Sequence, residues 1–343
     1  MPQSDVLKSV LEENMNTSAS FSKATTLGTD FTKALKKMAE YYFSHSGKLL
    51  RPTISLLMAY GCNQLKGKYA SDENRLINKV SLNQYRIALI SEMIHTASLV
   101  HDDVIDESAV RRGNPTVNAL WGNKMAVLVG DYILARATQI LCSIGRPNVI
   151  SVMALIIEDL VKGEFMQLMS NGDEGEKNTK KRFEEYMAKT YSKTASLFAN
   201  SCKSVAMLAD LSASDERISY EYGRSFGIAF QLIDDMLDFV SSSNVMGKPT
   251  ANDLKLGLAT APVLFAAQEF TELNELIDRR FSGEEDVQKA WELVLNSNGL
   301  DKTRSLAKQY AENAVKMAEK LPNGEGVRDR LIELAMFQIE RQK

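Results

Sequence analysis

Asp102, Asp103 and Asp106 close an apolar, helix-spaced stretch, Ser91–Pro115, which reads SEMIHTASLVHDDVIDESAVRRGNP. At about 100° per residue, Asp102 and Asp106 share one helix face a turn apart, with Asp103 beside them. Carboxylates this close repel one another unless something positive sits among them. Hard oxygen ligands at this spacing suit Mg²⁺, which takes one or two carboxylates together with waters and substrate phosphates. Arg111 and Arg112 follow, and their planar forks match phosphate oxygens. A solvated acidic helix end is the plain alternative for this cluster taken alone.

The pattern returns in Phe226–Val240, FGIAFQLIDDMLDFV, with Asp234, Asp235 and Asp238 again spaced as DDxxD. Both clusters lie in helices too apolar to be solvated surface, and charge without a partner is costly in a core. Two triads facing each other across a bundle would form a cage of six carboxylates. Divalent cations together with a polyanion would neutralise it. A third element is the turn Ser46-Gly47-Lys48-Leu49-Leu50-Arg51-Pro52. Lys48 and Arg51 beside a glycine could bind an anion, or simply open a helix with two solvated bases.

The elements that must carry these groups read as helices. The chain has 343 residues, 44% of them hydrophobic and 25% charged, with a formal net charge of −3. That balance gives no pull towards nucleic acid, so phosphate binding must come from local clusters. Helical patterns are expected at Val6–Met15, Thr32–Phe43, Thr53–Gly61, Ile77–Glu107, Val117–Cys142, Val149–Ser170, Lys181–Ala209 and Ser214–Val240. Shorter amphipathic helices follow at Ala259–Phe270, Leu273–Phe281, Glu284–Asn296, Asp301–Leu321 and Gly326–Gln342. Asn171–Lys181 and Ser241–Leu258 read as loops, and no period-2 strand or solenoid repeat is found. The expectation is one all-α domain, a helical bundle with its most apolar helices at the centre.

Cys62, Cys142 and Cys202 are far apart in apolar segments, so buried inert thiols in a reducing compartment are expected. No apolar run approaches the ~20 residues that span a bilayer. No signal peptide is recognisable, and no arginine precedes Arg51, unlike an Arg-rich presequence.

With SGKLLRP, HDDVIDESAVRRG, GEFMQL, KTYSKTASL, GIAFQLIDDMLDF and GKPTANDLKLGLATAP in this order, the chain resembles the trans-isoprenyl diphosphate synthases. It is most similar to the long-chain polyprenyl diphosphate synthases of ubiquinone side-chain synthesis. The resemblance implies an isoprenoid-synthase-type all-α bundle around a deep central cavity. In it, residues 46–343 form the catalytic unit and residues 1–45 are N-terminal helices packing on its core. It also implies that Asp102, Asp103, Asp106, Asp234, Asp235 and Asp238 hold two or three Mg²⁺ ions with the allylic diphosphate. Arg111, Lys189, Thr190, Gln231 and Lys248 match further contacts on that side. Lys48, Arg51, His95 and Arg112 match the site for isopentenyl diphosphate. His95 has the alternative of a polar residue satisfied within the bundle, and His45 and His101 receive no role.

The reaction implied is repeated head-to-tail 1′-4 condensation, extending farnesyl or geranylgeranyl diphosphate by trans units into a long-chain polyprenyl diphosphate. A short- or medium-chain, geranylgeranyl-type synthase is the alternative. Helical spacing nominates Ser98 as a chain-length residue, and the resemblance nominates Ala97. Both are small, so Ala97→Phe is expected to shorten the product. A terpene cyclase would carry a different second metal motif. A non-catalytic partner subunit would have eroded acidic motifs, and a di-iron protein would need Glu-x-x-His pairs. The expected assembly is a homodimer, or a heterotetramer in which this chain needs a degenerate second subunit. No nucleic-acid partner or transmembrane segment is expected, though peripheral membrane contact could serve product release. The resemblance implies a mitochondrial location, with a cytoplasmic one as alternative.

Overall fold

In the computed structural model, residues 30–44, 48–65, 80–169, 179–240 and 251–341 are described. The expected helix at Val6–Met15, Lys248 and most of both expected loops lie outside them.

Helix starts are set by local chemistry. Helix α1 spans Asp30–Ser44 and α2 spans Leu50–Leu65. Helix α3, Leu82–Ile105, begins at a capping box. The Gln84 amide donates to Ser81 Oγ (3.3 Å), and the Ser81 amide donates back to Gln84 Oε1 (2.9 Å). Reciprocal bonds of this kind satisfy two amides that the first turn leaves open. The same Gln84 is wholly buried, exchanges hydrogen bonds with Asn63 of α2, and reaches the Val205 carbonyl (3.0 Å). One polar side chain thus fixes the register of three helices.

Two expected helices are interrupted. Val117–Cys142 divides at Gly122, whose φ of 83° ends α4 (Val117–Trp121) before α5 (Asn123–Cys142) begins. That left-handed backbone favours glycine. Helix α6 is Pro147–Met169. Lys181–Ala209 divides into α7 (Thr179–Thr190), a π-helical turn at Tyr191–Ala195, and α8 (Ser196–Leu208). Such turns insert an extra residue and re-aim the side chains on either side.

A further difference is a two-residue antiparallel pair, β1 (Val110–Arg111) with β2 (Asn114–Pro115). Arg112 (φ 51°) and Gly113 (φ 77°) form its turn, and two left-handed residues match the twist of a tight hairpin. It is too short to show any alternation, so no period-2 signal accompanies it.

Helix α9, Ala213–Val240, is the centre of the bundle. Added methyl groups at Gly223 and Gly227 would lie 2.5 Å from the Phe198 carbonyl oxygen and 2.6 Å from Ala195 Cα. These glycines let α9 lie directly on the backbone of α8. The chain continues through α10 (Asn252–Lys255), within the expected loop Ser241–Leu258, then α11 (Ala261–Ala266), α12 (Leu273–Asp278) and α13 (Asp286–Leu295). Helix α14, Gly299–Ala318, presents buried Ala307, Ala311, Ala314 and Ala318 and packs along α9. Helix α15, Val327–Glu340, accepts a hydrogen bond at the Leu331 carbonyl from the buried Tyr222 hydroxyl (2.9 Å).

One expectation needs correction. Cys62 and Cys202 are buried, but Cys142 is exposed at the end of α5. Burial pushes the Cys62 thiol up to about 12, as an inert core thiol should be. Helix α5 is long and apolar enough to cross a membrane by length and composition alone, as core helices of helical bundles also are, and 39% of its most apolar window is buried. No uninterrupted apolar run announces it, because Asp131 and Arg136 lie within it. It packs along α3.

Candidate active site

The first acidic motif ends α3, with Asp106 as its C-cap. Asp102 and Asp106 are half-buried, whereas Asp103 is 1% exposed. Both oxygens of Asp103 are occupied: Oδ1 accepts from Arg111 Nε (2.7 Å) and Oδ2 from the Tyr42 hydroxyl of α1. Asp102 and Asp106 meet Glu164 of α6 and Lys193 of the π-helical turn. Desolvation is the main reason the Asp102 carboxyl is pushed up to about 6. Glu164 and Asp106 add to the rise, and Lys193 and Arg111 oppose it. Asp106 is raised for the same leading reason. Lys193 is ion-paired with Glu164 and donates to Gln167 Oε1 (3.1 Å). A Cβ at Gly163 would lie 2.6 Å from Lys193 Cγ, so the glycine of GEFMQL makes room for this lysine to cross α6.

The second motif lies on α9. Asp235 is 4% exposed, and Oδ2 accepts from the Tyr186 hydroxyl (2.6 Å) while Oδ1 accepts from Gln231 Nε2 (2.7 Å). Gln231 is itself fixed by Thr194, whose hydroxyl donates to Oε1 (2.7 Å). Asp238 Oδ2 accepts from the Asp253 amide (3.0 Å). Burial raises the Asp253 carboxyl far above the usual range, and Asp235, Asp238 and Asp234 repel its charge further. Asp234 is ion-paired with Arg341, which follows α15 and stacks its guanidinium 4.5 Å from the Phe230 ring centroid. Buried Thr190 lies at the end of α7 beside Lys189. Burial depresses Lys189, opposed by Asp235, Asp253 and Glu164. This lysine therefore feels carboxylates of both motifs' surroundings.

The bases expected to take the second diphosphate also converge. Arg51 is half-buried at the start of α2, with its guanidinium 5.0 Å from the Phe198 ring centroid and its Nε buried without a hydrogen bond. Burial lowers it to about 10, opposed by Glu92 and Asp234. His95 is pushed well below its ordinary value by burial and then by Arg51, Arg112 and Arg111, which holds the imidazole neutral. Glu92 is raised by burial and restrained by Arg51 and Arg112. Lys48 is exposed and acts on Asp234. Ala97 is fully buried within the apolar cluster of Val100, Val117, Val129 and Ile133, while Ser98 donates to the His95 carbonyl (2.9 Å).

Tyr42, Glu92, Glu164, Tyr186, Lys193, Asp253 and Arg341 were not named from the sequence. Glu164, Lys193 and Asp253 lie inside the quoted segments GEFMQL, KTYSKTASL and GKPTANDLKLGLATAP, so a signal existed. Tyr42 and Arg341 are 61 and 107 positions from their partners and carry no local signal. Among the described residues, no three His, Cys, Asp or Glu side chains stand at metal-ligating distance.

An all-α bundle with two acidic helix ends and a converging set of bases has the make-up of enzymes that handle diphosphates. The profile described as Polyprenyl synthetase matches residues 32–294. The human all trans-polyprenyl-diphosphate synthase is 51% identical over 91% of this chain and 72% of its own length. Solanesyl-diphosphate synthase 1, mitochondrial, of Oryza sativa is 43% identical over 85% of this chain and 67% of its own. Other relatives are named as decaprenyl and hexaprenyl synthases. The polyprenyl synthase of Caulobacter crescentus, solved with calcium and isoprenyl diphosphate, aligns with a TM-score of 0.77 at 30% identity, covering 99% of this chain and 98% of that one. The chain belongs to the polyprenyl synthetase family and is a prenyltransferase.

Proposed function

We propose that the chain adds isopentenyl diphosphate head-to-tail to an allylic diphosphate, building a long-chain polyprenyl diphosphate for ubiquinone. The supporting observation is the meeting of two carboxylate groups across Lys189 and Lys193, beside the half-buried Arg51 and the exposed Arg112 that act on His95. Names of relatives support the long product. Their mitochondrial naming supports that location, with the cytoplasm as alternative.

The donor set fits Mg²⁺. Asp102, Asp106 and Glu164 are hard oxygen donors with Lys193 beside them, and burial raises the proton affinity of Asp102 and Asp106, a desolvation that a divalent ion would offset. Asp102 and Asp106, with Asp234 and Asp238 opposite, would hold the ions, and Asp103 and Asp235 belong to the same motifs. Bound there, the metal supplies Lewis-acid stabilisation of the departing diphosphate. Lys189, Thr190, Gln231, Arg111 and Lys248 are assigned to the allylic diphosphate. Lys48, Arg51, neutral His95 and Arg112 are assigned to isopentenyl diphosphate. The orphaned Arg51 Nε is a donor available to such an anion. The buried apolar surroundings keep water from the allylic cation, and a proton lost after the new C–C bond forms is taken by the released diphosphate.

Residues 46–343 are assigned as the catalytic unit, with residues 1–45 packing on it; α1 joins the cluster of Ala97, Val129 and Ile133. Ala97 and Ser98 are assigned to product length, and Ala97→Phe is expected to cut the product to a few isoprene units. Exposed Val127 and Leu128 on α5 and Val161, Phe165 and Leu168 on α6 support assembly with a second copy or a companion subunit. The test is to incubate the purified chain with Mg²⁺, farnesyl diphosphate and labelled isopentenyl diphosphate, then size the product. A long ladder is expected. No extension would sink the homomeric reading, and extension only with a partner would define a catalytic subunit.

A further inference from the structure

The two DDxxD motifs treat their middle residue alike. Asp103 and Asp235 are 1% and 4% exposed, whereas Asp102, Asp106, Asp234 and Asp238 are all half-buried. In each middle aspartate one oxygen accepts from a tyrosine on another helix, Tyr42 of α1 or Tyr186 of α7. The other oxygen accepts from Arg111 Nε (2.7 Å) or Gln231 Nε2 (2.7 Å). Helical spacing agrees, since the first and third members of a DDxxD lie about 40° apart while the middle one turns away. Burial keeps both phenols protonated, hence donors: it is the largest cause raising Tyr42 and Tyr186, and the neighbouring carboxylate adds to it.

Resting on the metal–diphosphate reading above, we propose that the middle aspartates are anchors and that Tyr42 and Tyr186 are positioning residues. Each tyrosine holds its motif so that the flanking pair, Asp102 with Asp106 or Asp234 with Asp238, faces the metal. Helix α1 thereby becomes a brace of the first motif. Its preceding residue supplies an internal control: the Tyr41 hydroxyl donates to the Pro115 carbonyl (2.9 Å), and its ring meets Trp121 edge-on at 5.5 Å. Tyr41 fastens α1 to the hairpin.

The probe is inorganic pyrophosphate with MgCl₂, titrated calorimetrically into wild type, Tyr42→Phe, Tyr186→Phe, Tyr41→Phe, Asp103→Asn and Asp102→Asn. Phenylalanine keeps each ring in place, and unchanged far-UV circular dichroism verifies folding. Tyr42→Phe and Tyr186→Phe are expected to weaken Mg²⁺-dependent binding about tenfold, the scale of a lost outer-shell partner, and Tyr41→Phe to bind as wild type. Asp103→Asn is expected to lose about as much as Tyr42→Phe, with the double variant no worse than either alone. The proposal is overturned if both tyrosine variants bind as wild type, if Tyr41→Phe loses as much, or if Asp103→Asn abolishes binding as Asp102→Asn does. Wild type that binds no Mg–pyrophosphate would overturn the metal–diphosphate reading itself, a result distinct from any of these.

Discussion

The two acidic motifs share one spelling and are neutralised differently. At the end of α3, Asp103 is bound by a cation, Arg111, while Asp102 and Asp106 face Glu164 with Lys193 as their nearest positive group. On α9, Asp235 is satisfied by neutral donors, and the cation, Arg341, sits on Asp234 instead. The first wall therefore keeps an under-compensated outward pair, and the second spends its nearest arginine on one of its outward members. Raised carboxyls on both walls trace first to desolvation. Burial makes these groups poor free anions and good metal ligands, because a divalent ion restores what water no longer supplies.

The largest expected effect probes whether the walls are equal partners. Asp102→Asn and Asp234→Asn should each lower kcat for extension by about 10³-fold, from the several kcal/mol that a metal's charge stabilisation is worth. Steady-state incorporation of labelled isopentenyl diphosphate checks this. A deficit in one variant alone would break the comparison. Next in size is stability. Asp103→Ala strands a guanidinium and a phenol and should cost about 3 kcal/mol, whereas Asp235→Ala strands neutral donors and should cost about 2 kcal/mol. Denaturant unfolding of the metal-free variants measures the order.

A third prediction concerns pH. The Asp102 carboxyl is raised to about 6 in the fold, above the ~3.9 of an unfolded chain. Between these values the folded chain holds the extra proton. Its contribution is therefore stabilising at about pH 4 and is lost as pH rises through 6. Mg–pyrophosphate selects the ionised form, so its stabilising effect should grow over the same interval. Thermal midpoints from pH 4 to 7, with and without Mg–pyrophosphate, should slope oppositely for this site, and parallel slopes would refute it. The smallest effect is at Gly163→Ala, where the new methyl must displace Lys193. A loss of about 1–2 kcal/mol is expected, because the methyl meets the stem of Lys193 and also crowds the Lys193 backbone N and Ser192 Cβ, both at 3.1 Å. The change should weaken Mg–pyrophosphate binding slightly and leave the second wall untouched.

Most helices were legible because their apolar faces repeat at helical spacing, and both acidic motifs because charge is conspicuous on such faces. The break at Gly122 and the π-helical turn at Tyr191–Ala195 were not legible, since neither interrupts the apolar pattern. Motif membership brought Gln231 and Lys189 to the site, but nothing local joins Tyr42 to Asp103 or Arg341 to Asp234. Those pairings are products of tertiary packing, and they decide which carboxylates turn outward. Cys142 misled because an apolar segment need not bury every residue in it: helix α5 leaves one face exposed.

The most direct test of the two-wall account is calorimetric titration of inorganic pyrophosphate into the purified chain, with Mg²⁺ and then with excess EDTA. The account predicts binding that needs Mg²⁺ and that disappears in both Asp102→Asn and Asp234→Asn. Undiminished binding in EDTA, or in either variant, would contradict it.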